Sequence, residues 1–160
     1  MSPDHPNAKL IESFYTAFQA LDAEGMVRCY DTQIQFSDPV FTDLRGSNAG
    51  DMWRMLCSRA SDFSLRFDGV VADETQGRAH WIATYVFSQT GRTVVNDIHA
   101  HFVIANGKIV QHRDHFDLWK WSRQALGFSG WLLGWSPLVQ GKIRTQAARG
   151  LSKFQSQSRS

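Results

Sequence analysis

The sequence predicts an α+β domain, with N-terminal helices packed on a curved antiparallel sheet, and three observations carry that prediction. Apolar residues recur at spacings of three and four through roughly the first sixty positions, the helical period. From residue 63 the period changes to two and holds for about sixty residues, the period of a strand. Turn-rich pieces separate the strand-like runs, so they follow one another as a meander with no helical crossover, which is the order of an α+β fold. A chain of 160 residues, 42% apolar and 12% aromatic, suits a single domain with one sizeable core.

The elements follow in order. Asn7 is a suitable cap for a helix in which Leu10, Ile11, Phe14, Ala17, Phe18 and Leu21 share one face. Asp22 opens a second, short helix whose Met26, Val27 and Tyr30 continue the stripe. Ile34 to Val40 alternates and stops at Asp38-Pro39, as a short edge strand does. Gly46-Ser47 leads into a third helix with Ala49, Met52, Trp53, Leu56 and Ala60 inward. Four strands are expected at Phe63 to Ala72, Arg78 to Gln89, Thr93 to Ala105 and Ile109 to Trp121. Asn106-Gly107 between the last two is the strongest hairpin signal, because a type I′ turn needs positive φ at both central residues. Phe128 to Trp135 is rich in Gly, Trp and Leu. Ser136-Pro137 then starts a helix with serine as cap and proline at the first position, and the end from Gln155 should fray. The expected organisation is a domain over residues 1–127 followed by a Trp-rich extension, 128–160, that carries a basic amphipathic helix.

Charge and cysteine content exclude several classes. Residues 128–160 hold Lys142, Arg144, Arg149, Lys153 and Arg159 with no acid, whereas the body is mildly acidic, so no basic face for a nucleic acid is expected on the folded domain. The apolar stretch Trp131 to Trp135 is far short of the roughly 20 residues of a membrane span, and the first six residues hold no apolar signal region. Cys29 and Cys57 make neither a disulfide framework nor a Cys-x-x-Cys motif and read as buried thiols. A soluble, cytoplasmic protein is expected.

The order of these pieces carries a resemblance. Helix, short helix, Phe36-Ser37-Asp38-Pro39-Val40, a helix opened by Arg45-Gly46, and a meander containing His101-Phe102, Asn106-Gly107-Lys108-Ile109-Val110 and Arg113-Asp114-His115-Phe116-Asp117 resemble the nuclear transport factor 2-like superfamily. Within it the sequence is similar to the SnoaL-like group, whose enzymatic relatives include ketosteroid isomerases and limonene-epoxide hydrolases. The resemblance covers residues 8–126. It implies a cone-shaped, cystatin-like barrel that leaves an apolar pocket for a small molecule, with Phe14, Phe18, Phe36, Trp53, Ala100, Phe102 and Phe116 as expected lining.

Two carboxylates are candidates for chemistry. Asp38 matches the position of the isomerases' general base, and a carboxylate in an apolar pocket is a better proton acceptor because desolvation disfavours its charged form. The isomerases' oxyanion tyrosine falls on Phe14, with Tyr15 one helix step, about 100°, away. The second oxyanion donor falls on Ala100, so that site is incomplete. Asp114 matches the Arg-Asp-aromatic-Phe-Asp pattern of the epoxide hydrolases, but the Arg-x-Asp pair expected on His80 to Tyr85 is missing. Period two places His112, Asp114 and Phe116 on one strand face, where His112 and Asp114 form an acid-base pair or an ordinary buried one. The catalytic candidates are therefore Asp38, Asp114, His112 and Tyr15.

Asp97, His99 and His101 share a strand face and raise the question of a metal. A third ligand would have to come from a neighbouring strand, and Phe102 and Ile104 turn that face away from the pocket, so no metal and no cofactor are expected. The functional expectation is an isomerase, cyclase or hydrolase that uses a pocket carboxylate as base on a small apolar or carbonyl-bearing molecule. The alternative is a non-catalytic binding or dimerisation module. Large side chains on both faces of the strands further predict a homodimer across the convex sheet face, with His99 and His101 at or near the contact.

Overall fold

Helices α1 (Pro6–Gln19), α2 (Ala23–Arg28) and α3 (Ser47–Arg59) cover one face of a six-stranded sheet in the computed structural model, which describes residues 1–160. The strands are β1 (Tyr30–Ser37), β2 (Leu44–Arg45), β3 (Ser64–Ala72), β4 (Gln76–Phe87), β5 (Arg92–Ala105) and β6 (Lys108–His115). Their order across the sheet is β2-β1-β6-β5-β4-β3. The meander β3 to β6 is antiparallel throughout, as its short turns require. At the Asn106-Gly107 turn both residues have positive φ, 53° and 72°. Register shifts between Asp68 and Val71 and between Val103 and Ile104 bend the strands and increase their twist.

Strand β1 departs from the expected edge strand. It lies inside the sheet, antiparallel to the two-residue β2 and parallel to β6, so the sheet is mixed. That parallel pairing joins the beginning and end of the domain, and no local pattern encodes it. It also claims Tyr30, which does not continue the α2 stripe but opens β1 with its side chain buried.

The last strand is shorter than its alternation predicts. β6 ends at His115, and Asp117 accepts a hydrogen bond from Lys120 N to cap α4 (Leu118–Leu126). Leu118, Ser122 and Ala125 then face inward at helical spacing, so the alternate Trp119 and Trp121 belong to a helix. Phe128–Leu133 forms a short α5, and α6 runs Pro137–Ser158, capped by Ser136. Its last turns do not fray, since Gln155 bonds Asn48 and Asp51 of α3. At the other end His5, not Asn7, caps α1; Asn7 reaches instead to the carbonyls of Asp73 and Glu74.

The core lies between α1, α3 and the concave sheet face. Ile11, Phe14, Tyr15 and Phe18 of α1 and Met52 and Trp53 of α3 meet Trp81, Ile98, Ala100, Phe102 and Ile104. Gly77 permits the close approach of α1 to β4, because a Cβ there would run into Ile11 Cδ1. Both cysteines are free and buried, and no helix is long and apolar enough to cross a membrane.

Candidate functional site

Helix α1 fills one end of the concave face, and the other end remains open as a cavity of about 320 Å³. Most of its wall is apolar, with Phe18, Trp53, Phe63, Trp81 and Phe116 among the larger groups. Ile143, Gln146, Ala147 and Gly150 of α6 close one side, held by Arg144 Nε donating to the Pro39 carbonyl at 2.9 Å. Among these groups stand two carboxylates, Asp38 and Asp114, together with Asn96 and Tyr85.

Asp38 sits where β1 ends. Its Oδ1 accepts backbone N–H bonds from Val40 at 2.7 Å and Phe41 at 2.6 Å, the turn that Asp-Pro favours. Oδ2 has no protein donor and is left to the cavity. The Asp38 side chain is half-buried and lines the cavity. Burial raises its pKa to about 7, against the lowering by the two backbone bonds, and the neighbouring Asp114 adds to the rise.

Asp114 is the end of a buried chain of hydrogen bonds. Trp53 Nε1 donates to Tyr30 Oη at 2.9 Å; Tyr30 Oη lies 2.7 Å from His112 Nδ1; His112 Nε2 lies 2.9 Å from Asp114 Oδ1. Trp81 Nε1 donates to the same Oδ1 at 3.3 Å. An indole can only donate, so Tyr30 Oη accepts from Trp53 and keeps its own proton to give. The His112 tautomer that carries its hydrogen on Nε2 accepts from the Tyr30 hydroxyl at Nδ1 and donates to Asp114. Every member is thereby satisfied, and Asp114 Oδ2 stays without a protein donor at the cavity wall.

Two further polar groups of the wall, Tyr85 and Asn96, can donate. Tyr85 Oη accepts from Trp121 Nε1 at 2.8 Å, which leaves the hydroxyl proton uncommitted, and burial is the main cause raising its pKa. The Asn96 side chain makes no protein hydrogen bond. A donor pair therefore shares a cavity with two carboxylate oxygens, which is the equipment for moving a proton while an oxygen gains charge.

The SnoaL-like domain family matches residues 11–112. The chain belongs to that family. No curated protein sequence matches it significantly. Solved structures share the fold at low identity. An M. tuberculosis LEH-like epoxide hydrolase is 20% identical, the match covering 84% of this chain and 95% of that one with a TM-score of 0.63. TsrD from Streptomyces laurentii is 23% identical over 75% and 94% of the two chains, with a TM-score of 0.64. A Pseudomonas putida KT2440 protein described as a candidate polyketide cyclase is 18% identical over 78% and 98%, with a TM-score of 0.63. These likenesses establish an NTF2-like architecture. The SnoaL-like match ends at residue 112, two positions before Asp114 and ahead of α4, α5 and α6.

Of the site residues that the sequence suggests, the SnoaL-like cavity brings together Asp38, Asp114, Phe18, Trp53 and Phe116. His112 stands behind Asp114, wholly buried, with the rings of Phe14, Phe36 and Phe102 against it at 5.4, 5.1 and 4.4 Å. These three, and Ala100 opposite Asp114, form the packed seat of the imidazole and do not reach the cavity wall. α1 presses directly on that part of the sheet. Tyr15 is also off the wall: it stacks on Phe67, and its buried hydroxyl has no protein partner. Tyr30, Tyr85 and Asn96 carry no local motif that marks them. Period two on β4 and β5 would have turned Tyr85 and Asn96 to the side of Trp81 and Ile98, and that was their only signal.

On the opposite face, His80 of β4 supplies the neighbour-strand group that a metal at Asp97 and His99 would need, and one donor atom from each of the three lies within 4.8 Å of the others. His101 pairs with His115 instead. His80 Nδ1 lies 3.0 Å from Asp68 and Nε2 2.7 Å from Asp97, and the Asp97 bond is the main cause raising the His80 pKa. An imidazolium donating to a carboxylate from each nitrogen has no lone pair for a metal, so the cluster reads as an ion-pair network on the convex face.

Proposed function

We propose that the chain is an enzyme that moves a proton at a carbon beside the carbonyl of a small, largely apolar molecule, with Asp38 as the base. The observation that carries this reading is the position of the Asp38 carboxyl at the wall of an apolar cavity with one oxygen free of protein donors, where burial pushes its pKa up to about 7. A base poised near the working pH is half ionised and still strong enough to accept a proton. The Asp38 carboxylate takes the proton from the carbon, the carbonyl oxygen gains charge as the enolate forms, and Tyr85 Oη and Asn96 Nδ2 donate to that oxygen. Proton return to a different carbon gives an isomerase; attack of the enolate carbon on a second carbonyl gives a cyclase.

Deuterium exchange tests the reading before the substrate is known. Cyclic and aryl ketones that fit the cavity are screened for binding by tryptophan fluorescence, and loss of their α-protons in D₂O is followed by NMR. Bound ketones should exchange at least tenfold faster with the wild type than with Asp38→Asn. Ketones that bind but exchange equally with both would leave a binding module in place of an enzyme.

A second reading has one observation in its favour. Asp114, held by the His112 chain with Oδ2 free, is suited to activate a water in epoxide-hydrolase fashion, and Asp114→Asn, not Asp38→Asn, would then remove activity. We further infer that residues 128–160 act as an extension closing the cavity, and that the protein works in the cytoplasm as a homodimer. The exposed Val95 and Val103 and half-buried Ile82 on the convex face support the dimer. Light scattering should return about twice the 18.2 kDa chain mass, and a monomer mass at micromolar concentration would exclude it.

A further inference from the structure

We propose that α5 and the start of α6 form a docking surface for an anionic lipid bilayer. The segment 128–138 exposes six large apolar side chains: Phe128 by 75%, Trp131 by 54%, Leu132 by 43%, Leu133 by 51%, Trp135 by 64% and Leu138 by 72%. Isolated exposed apolar residues are ordinary, but six within one short segment form a patch that marks an interaction site.

The cause lies in the glycines. α5 buries Gly130, and Gly134 just beyond it, against α4, where a Cβ on either would collide with Ser122 or with the carbonyl of Gly130. The helix therefore packs by its smallest residues and turns its largest ones to solvent, the reverse of a helix that contributes to a core. Trp119 Nε1 donates to the Trp131 carbonyl at 3.2 Å, which ties α5 to α4 in this orientation.

Charge identifies the occupant. From residue 118 to the end the chain has Lys120, Arg123, Lys142, Arg144, Arg149, Lys153 and Arg159 and not one Asp or Glu. Lys120, Lys142, Arg149 and Lys153 are exposed. On α6, Leu138, Lys142 and Arg149 recur at spacings of four and seven, so the apolar patch continues directly into a basic stripe. A second copy meeting this surface across a two-fold axis would set cations against cations. An anionic bilayer meets both demands, accepting Trp, Phe and Leu at the acyl boundary and the lysines and arginines at its headgroups. The inference does not depend on catalysis, although it would place α6, one wall of the cavity, beside the lipid.

Vesicle co-sedimentation of the full chain tests it. The protein should pellet with phosphatidylcholine vesicles containing about a third phosphatidylglycerol at 0.1 M salt, at least tenfold more than with pure phosphatidylcholine, and 0.5 M salt should release it, because screening shortens the reach of the charges. Trp131→Ser/Trp135→Ser should lower the partition coefficient at least tenfold. Both rings are more than half exposed, so the fold should persist, as circular dichroism would show. Lys142→Glu/Lys153→Glu, which leaves the apolar patch intact, should give a similar loss on the anionic vesicles. No pelleting on anionic vesicles, or equal pelleting on neutral ones, overturns the proposal. So does a double tryptophan variant that binds vesicles as the wild type does, or one whose mass by light scattering halves, which would make the patch a contact between copies.

Discussion

Replacing Asp38 by Asn removes an ionisable group while keeping an oxygen for the Val40 and Phe41 N–H groups, so its effect on stability reports the carboxyl's titration. In the unfolded chain the group titrates near 3.8, and in the folded protein burial raises it to about 7. Between those values the folded state holds a proton that the unfolded state has released. Wild-type stability therefore falls as pH rises through this window and levels off above about 7, the reverse of a carboxylate held by a salt bridge. Each unit is worth about 1.4 kcal/mol. The interval from pH 5 to 7 amounts to roughly 2.7 kcal/mol, which water in the cavity reduces to about 2 kcal/mol. The variant, lacking the titration, should gain that amount on the wild type between pH 5 and pH 8, while contributions from histidines are common to both and cancel. Urea unfolding of the two proteins at pH 5, 6, 7 and 8 measures it. A stability difference that stays constant over this range would mean that Asp38 titrates normally and is not desolvated.

Three further outcomes follow from the same structure. Tyr30→Phe leaves Trp53 Nε1 and His112 Nδ1 without partners in a buried site, so it should cost about 2–4 kcal/mol in urea unfolding; a loss below 0.5 kcal/mol would contradict the hydrogen-bond chain. Tyr15→Phe removes a buried hydroxyl that has no protein partner and should be neutral or stabilising by up to about 1 kcal/mol; a loss above 1 kcal/mol would reveal a bond that the geometry does not contain. Elemental analysis of purified protein should find far less than one equivalent of zinc or iron, because Asp68 and Asp97 occupy both nitrogens of His80; a full equivalent would reassign His80, Asp97 and His99 as ligands.

Much of this architecture is legible in the residues because local signals govern it. The period change at residue 63, the Asn106-Gly107 turn and Ser136-Pro137 each act over a few positions, and each element stands where they put it. Asp38, His112 and Asp114 are legible too, through the motif order and through period two on β6. The rest depends on pairings between distant positions. Tyr30 and His112 are 82 positions apart and meet only because β1 runs parallel to β6. Read locally, Tyr30 extends a helical stripe. Trp119 and Trp121 mimic strand alternation until Asp117 caps a helix. The stripe of α6 is visible as Ile143, Ala147 and Leu151, but a periodic face does not say what it covers, and here part of that face closes the cavity. Phe14, Phe36 and Phe102 are apolar in the pattern of pocket lining and of core alike, and only the approach of α1 to the sheet assigns them to the core around His112.

The proposed chemistry requires Asp38 to gain and lose a proton near neutral pH at the wall of the cavity. Carbon-13 NMR of protein labelled at the aspartate carboxyl carbons, with Asp38→Asn to assign the resonance, follows that titration directly. The expected midpoint for Asp38 is about 7. A midpoint below 5 would contradict it, since a carboxyl of ordinary acidity at that position would be neither desolvated nor poised to act as the base.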